Sequence, residues 1–523
     1  MTRRITSIFL AMIMLLGLLA GCGSNTQQQD GNIDKTTNSA SATTNTVNGD
    51  LNIVMPEDLA TFDPLGTIST IAQNIHRMVY TRLYIDSDEG DMTPVPALAK
   101  EFNVISDNEI QIKIYTDWKY SDGSTITVDD VVFCLNRALE NPSFKTSMAM
   151  VTAYEKVDDE TLAIKTSGPA PSIKHALKHT GTSILPQAYV EKVIADKDWS
   201  NPVCSGPYML EDRSIGEYTK VVKNDQYNAD IAIPQNNSLT FKFVPESNSR
   251  TIQVETGEAD LNFNFGTADY ARCTADPELK VYEKTGITTF YVGMDTTQKP
   301  FDDVRVRQAI CYAVNREEIL SATAEGIGVH SYCVLPSTTG GHLENPAGYT
   351  YDPEKAKELL AEAGYPDGFT TKLLAFTEEN KKIAEIVEMF LSEVGIVAEI
   401  DLYDSSVRAG MVGAHEVPML VASWGASPDA DLVLPRLFTE SAIGGSNLTY
   451  YHNDKVDEYL KAAASIYDEK ERNGYYQDAV KIIAEEAPWC TLYIKNSLAL
   501  ARADLKGVVL SPETVRNFWT LHY

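Results

Sequence analysis

Stretches of strand character alternate with stretches of helical periodicity from about residue 50 almost to the C-terminus. This alternation predicts an α/β protein, because helices that follow strands in the chain end up covering the faces of the sheet those strands build. Ile110, Ile112 and Ile114 take turns with Glu109, Gln111 and Lys113, the pattern of a strand buried on one face, and Ser121-Asp122-Gly123 follows as a turn. Thr127 then predicts a helix cap, with Asp130 at the third helical position, Val131, Val132, Leu135, Ala138 and Leu139 on the apolar side and Asn141-Pro142 as the stop. Further strands are predicted at Thr161 to Lys165, Leu239 to Val244, Thr288 to Gly293 and Ala398 to Tyr403. Asp352 and Pro353 open a helix that Gly364 ends, and Ile383, Ile386, Val387, Phe390, Leu391 and Val394 mark another that Gly395 ends. The chain has 523 residues, and at roughly 150 residues per domain it needs two or three domains.

The first residues point to export. Arg3 and Arg4 precede an apolar stretch from Ile5 to Ala20, which closes in Leu19-Ala20-Gly21-Cys22. About 16 apolar residues are too few for a membrane span, which needs ~20. The arrangement resembles that of bacterial lipoproteins, which implies that residues 1–21 are removed and that Cys22 is lipidated and becomes the N-terminus. Residues 22–49 are Ser, Thr, Asn and Gln with almost nothing apolar, and so predict a flexible tether. No later stretch approaches the ~18 unbroken apolar residues of a second span. The expected location is extracytoplasmic, on the outer face of the bacterial cell membrane.

With 44 Lys+Arg against 73 Asp+Glu the net charge is −29. Such a body repels phosphate backbones, and no cluster of basic residues offers a local exception, so nucleic acid is not an expected partner. Cys134, Cys204, Cys273, Cys311, Cys333 and Cys490 show no Cys-x-x-Cys spacing, and no pairing follows from the sequence. His175 and His179 stand four apart without a third ligand nearby and are expected to be exposed or capping. The run Asp158-Asp159-Glu160 reads as a solvated turn between helix and strand. The Gly-x-Ser-x-Gly, Ser-x-x-Lys, His-Glu-x-x-His and phosphate-loop motifs are all absent. No catalytic residue, metal or cofactor is expected.

A series of segments then carries a resemblance. Thr61-Phe62-Asp63-Pro64, the stretch Ile110 to Gly123, Ser205-Gly206-Pro207-Tyr208, Glu255 to Asp260, Pro300 to Ala309 and Asp352 to Ala356 occur in this order. Together they resemble the family 5 extracytoplasmic solute-binding proteins, the oligopeptide, dipeptide and glutathione receptors of ABC importers, from about Asp50 to Tyr523. The resemblance implies a two-lobed periplasmic-binding-protein-like fold of type II, the large peptide-binding class. Lobe I would comprise residues 50–93, 206–292 and 498–523, with an extra subdomain of residues 94–205 inserted in it, and lobe II residues 293–497. The hinge would lie at the chain crossings near 292 and 497.

The same resemblance implies a ligand site. In peptide-binding relatives an Asp three residues after a lobe II Trp pairs with the ligand's α-ammonium; here Trp424 is followed at that spacing by Ser427. Either Asp429 or Asp431 replaces that carboxylate, or the ligand has no peptide-like amino end; helix capping is the competing role for both acids. The segment resembles the glutathione-binding branch. Trp424 reads as a cleft wall or as core, and Tyr154, Ser205 and Asn264 join the candidate set from relatives. Trp118 and Tyr120 read as structural, and Arg305 and Arg307 as surface or interlobe pairs. The implied function is a monomeric, non-enzymatic lipoprotein that captures a peptide or peptide-like ligand and delivers it to an ABC permease with its ATPase. A same-fold receptor for a nickel chelate, haem or an oligosaccharide, or an extracellular hydrolase, is the alternative.

Overall fold

The computed structural model describes residues 49–523 apart from 68, 146 and 147, so the signal segment, Cys22 and nearly all of the tether lie outside the described residues. Two long strands, Leu279–Met294 and Trp489–Arg502, pair antiparallel in the middle of one eleven-stranded sheet. To one side follow Leu261–Asn262, Asp50–Met55, Ser238–Phe243, Tyr218–Lys223 and Tyr208–Ser214; to the other, Met419–Gly425, Phe369–Ala375 and Ile396–Leu402, and the eleventh strand, Gly328–His330, pairs with Trp489–Arg502 off this path. The expected strand at Thr288 to Gly293 is only the last part of the 16-residue strand Leu279–Met294. Its first half mixes Lys280, Glu283 and Lys284 among apolar residues, and tertiary pairing with the second long strand extends it where local pattern does not.

Four strands build a separate antiparallel sheet in the order Ala99–Ser106, Glu109–Ile114, Thr161–Thr166, Val151–Lys156. Ile110, Ile112 and Ile114 are buried while their neighbours are half-exposed, as the alternation requires. The helix Val128–Glu140 begins with a reciprocal cap: Thr127 Oγ1 accepts from the Asp130 N–H at 3.2 Å and the Asp130 carboxylate accepts from the Thr127 N–H at 3.1 Å, an arrangement worth about 1 kcal/mol. On that helix Arg137 forks onto both oxygens of Asp63 at 2.9 and 2.6 Å, which gives Thr61-Phe62-Asp63-Pro64 a structural task. The run Asp158-Asp159-Glu160 turns between two strands, Val151–Lys156 and Thr161–Thr166, and not between helix and strand as expected; the Asp158 carboxylate accepts the Glu160 N–H at 2.9 Å.

The helices Pro353–Glu362 and Glu378–Glu393 are capped by Asp352 and Thr377 and are followed by Gly364 and Gly395, with φ of +92° and +85°. Arg305 pairs with Asp303, whereas Arg307 is interior, its guanidinium donating to the carbonyls of Phe301 at 2.7 Å and Glu486 at 2.8 Å. Trp118 and Tyr120 are buried, and the six described cysteines are buried free thiols.

Three of the four groups of buried apolar side chains follow the two halves of the sheet. One draws only on residues 51–263 and 499–521, and two others draw only on 287–493; the smallest, with Val54, Val254, Leu500 and Ile327, spans both. The long strand pair joins these cores. Its register breaks between Thr285 and Thr288, opposite Lys495 and Asn496. Glycine is required at the break: a Cβ on Gly286 would stand 2.2 Å from the Lys495 carbonyl oxygen.

Candidate functional site

Four cavities of about 340, 460, 460 and 370 Å³ adjoin one another through shared lining residues and form one crevice between the two halves. Thr70, Gly425 and Ala426 line both the first and the second; His175 and Pro428 link the first to the third, and Lys495 to Ser497 link the second to the fourth. One wall is the helix Gln73–Val79, the helix Ile173–Leu177 and the segment Glu513 to Arg516. The other is the end of the strand Met419–Gly425 and the loop that continues to Pro428.

The first wall is dense in buried charge. All seven residues of the helix Gln73–Val79 are buried, Arg77 among them, because the segment from Ile71 to Asp86 passes between the lobe's core and the crevice. Asp86 sits behind that wall and accepts from Lys178 Nζ at 2.5 Å and Arg516 Nη1 at 2.9 Å. Burial would push the Asp86 carboxyl up, but Arg516, Lys178 and Arg77 together outweigh it and hold it well below the usual carboxylate range. Arg516 also pairs with Glu513. Arg77 donates only to neutral oxygens, Asn74 Oδ1 at 2.8 Å and the Thr70 carbonyl at 3.5 Å. Burial drives the His175 and His179 rings down to about 3, aided for His175 by Lys178 and Arg472 and for His179 by Arg77, Arg516 and Arg82, so both are neutral at pH 7. His179 does cap, its Nδ1 accepting from the Gly181 N–H at 3.1 Å, but neither histidine is an exposed residue.

The residues expected at the site divide. Trp424 and Ser427 line the first cavity, Trp424 half-buried on its wall. Asp429 lines the third cavity, with its carboxylate already engaged: it accepts from Arg472 Nη2 at 2.7 Å and caps the following turn through the Asp431 N–H at 3.0 Å. Asp431 reaches across the crevice, accepting from Ser172 Oγ at 2.8 Å; burial and then repulsion from Asp429 push its carboxyl up. The Ala170 N–H donates to Tyr467 Oη at 3.2 Å in a second contact between the halves. Asn264 lines the fourth cavity. Tyr154 and Ser205 line none of the four: Tyr154 packs in the core with its hydroxyl 3.3 Å from Met148 Sδ, and Ser205 joins chain segments, donating to the Ile184 carbonyl at 2.6 Å and accepting from the Thr81 N–H at 2.9 Å.

Arg77, Lys178 and Arg516 are crevice residues that sequence reasoning missed. The signal for Arg77 is a run of charge, His76, Arg77, Arg82 and Asp86, inside an otherwise apolar stretch; Lys178 and Arg516 lie outside that run. Buried charge of this kind must be paired or used. Among the described residues one group brings metal-type ligand atoms within 4.8 Å of one another, Glu440, His452 and Asp457, and it lines none of the four cavities.

Residues 93–445 match the family model of bacterial extracellular solute-binding proteins, family 5. The chain belongs to that family. The glutathione-binding protein GsiB of Salmonella choleraesuis is 29% identical over 484 residues, which cover 90% of this chain and 93% of that relative. HbpA2 from Haemophilus parasuis superposes with a TM-score of 0.83 at 23% identity, over 90% of this chain and 99% of that one. The periplasmic binding protein DppA from Helicobacter pylori, solved in complex with the peptide STSA, superposes with a TM-score of 0.74 at 24% identity, over 91% and 98%. The fold is therefore that of the two-lobed type II periplasmic binding proteins. No helix among the described residues is long and apolar enough to cross a membrane.

Proposed function

We propose that this family 5 protein is a non-enzymatic lipoprotein receptor that holds a peptide or small peptide-like solute in the crevice and hands it to an ABC permease. The crevice itself carries the reading: two walls from separate cores, each lined by polar groups, that meet around enough space for a small peptide. Lobe I would comprise residues 50–93, 206–292 and 498–523 with the insert 94–205, and lobe II residues 293–497. The two long strands would flex at the chain crossings near 292 and 497, close to the register break at Gly286 opposite Lys495. Trp424 and Ser427 would face the ligand, and Asn264 its far end. Asp429 would hold Arg472 and the turn at Asp431 in place. Cys22 would tether the body to the outer face of the cell membrane.

The names of relatives support the solute class: one binds glutathione and another was solved with a peptide. Native mass spectrometry of the purified protein tests the reading. A co-purified peptide or modified peptide of unchanged mass after prolonged incubation is expected. A sugar, a metal chelate or a cleaved peptide would overturn it.

A further inference from the structure

The crevice is crossed at one end by contacts that run through protein atoms alone. Its cavities adjoin in a row, third, first, second and fourth, and Lys495 to Ser497 of the long strand pair line the last two. The third cavity therefore stands at the end of the row away from that pair. Its lining comes from both halves, Phe102, Pro171 and Lys174 on one side and Thr338, Asp429 and Tyr467 on the other. A hinge motion about the long strands separates the walls most at this end. Here Ser172 Oγ donates to Asp431 Oδ2 at 2.8 Å and the Ala170 N–H donates to Tyr467 Oη at 3.2 Å. His175 Nε2 stands 3.8 Å from Asp429 Oδ2.

The side chains involved are committed to the crossing. Ser172 occupies the N-cap position of the helix Ile173–Leu177, yet its hydroxyl makes no capping bond to that helix and goes to the opposite wall instead. Asp431 lies on a turn capped by Asp429, which Arg472 holds at 2.7 Å, so the acceptor is presented from a fixed base. Tyr467 sits between the helices Asp454–Ala463 and Glu469–Glu486 and is 39% exposed, so packing does not dictate where its hydroxyl points. That hydroxyl nevertheless satisfies the buried Ala170 amide. Burial keeps the His175 ring neutral at pH 7, so its approach to Asp429 is no ion pair, and the crossing consists of two hydrogen bonds. We propose that Ser172 and Tyr467 form a catch that holds the two halves together before any solute is bound. The proposal rests on the two-lobed receptor reading above and adds what keeps the crevice shut. A hydrogen bond to a carboxylate shifts an open-to-closed ratio by roughly ten- to a hundredfold. The catch keeps part of the solute-free population closed and leaves the remainder for the solute to close, and that closed fraction raises the apparent affinity in proportion.

Small-angle scattering of protein refolded free of solute, with native mass spectrometry to verify its removal, tests the catch. Ser172→Ala, Tyr467→Phe and the double variant should each show a larger radius of gyration than the parent, the double variant the largest. A two-state fit should raise the open-to-closed ratio roughly tenfold in Ser172→Ala, and by less in Tyr467→Phe, whose bond joins neutral groups. Tyr467→Phe removes one oxygen from an exposed ring and should keep the melting midpoint of the parent. An unchanged radius in Tyr467→Phe overturns the catch, and so does a lower midpoint in Ser172→Ala without expansion, which would make the serine a residue of local packing. Either result leaves the receptor reading standing, because that reading is judged separately by the identity and intactness of the carried solute.

Discussion

Trp424, a candidate site residue from the sequence, lines the first cavity of the crevice. It closes the strand Met419–Gly425, is paired through its backbone to Thr289, and leaves its ring half-buried on the cavity wall. Trp424→Ala should therefore weaken ligand binding by about 1 to 3 kcal/mol, read by titration, with the unfolding transition nearly unchanged. Asp429 is the opposite case. Its carboxylate is buried on Arg472, so Asp429→Asn leaves a guanidinium without its counter-ion. Urea unfolding should show a loss of about 3 to 5 kcal/mol in the half that contains it, whereas a ligand anchor would show its loss in affinity with stability kept. Trp424 and Ser427 were legible because they sit in one short segment whose order resembles the family's. Arg77 was not, because its significance depends on Asp86 and Arg516, and Arg516 joins that cluster from the other end of the chain.

Among elements, those with their own caps and periods were readable. Thr127 with Asp130, Asp352 with Pro353, and the alternating isoleucines each state their structure within a few residues. The strand Leu279–Met294 was readable only in its second half, since the first half owes its conformation to a partner some two hundred residues away. The break in that strand carries its own test. Gly286→Ala places a methyl carbon against the Lys495 carbonyl and must push the two long strands apart. A thermal midpoint lowered by several degrees and weaker ligand binding are both expected; a variant indistinguishable from the parent would show that the strands are free to separate there. Tyr154 and Ser205 illustrate a different limit, because likeness in sequence order does not tell a cleft residue from a buried one. Ser205 is occupied by two hydrogen bonds to the chain and lies at 0% exposure.

At the scale of the whole molecule the two-lobed α/β fold was legible from segment order, while the cationic wall between the lobes was not, since composition reports only the sum of −29. That wall makes stability depend on pH in a stated direction. His76 falls to about 4, through burial, and His175 and His179 to about 3, below the ordinary 6.5, so the unfolded chain binds protons in this window that the folded one refuses. Asp86, held below the usual carboxylate range, acts in the same sense, while Asp431 and Asp260, both pushed up by burial, oppose it. Stability contributed by the three histidines is complete above pH 6.5 and declines as the pH falls towards 3. Calorimetric midpoints should drop steadily over that range, and a midpoint that rises on acidification would contradict the burial of these rings. Closure around a solute should also shrink the particle, a decrease in radius of gyration that small-angle scattering reads when saturating ligand is added.

The most direct test is a crystal structure of the protein with the solute it carries through purification. Density for an intact ligand between the helix Gln73–Val79 and the loop from Trp424 to Pro428 is the expected result. Density on the outer surface, or a crevice empty beside a ligand bound elsewhere, would contradict the account.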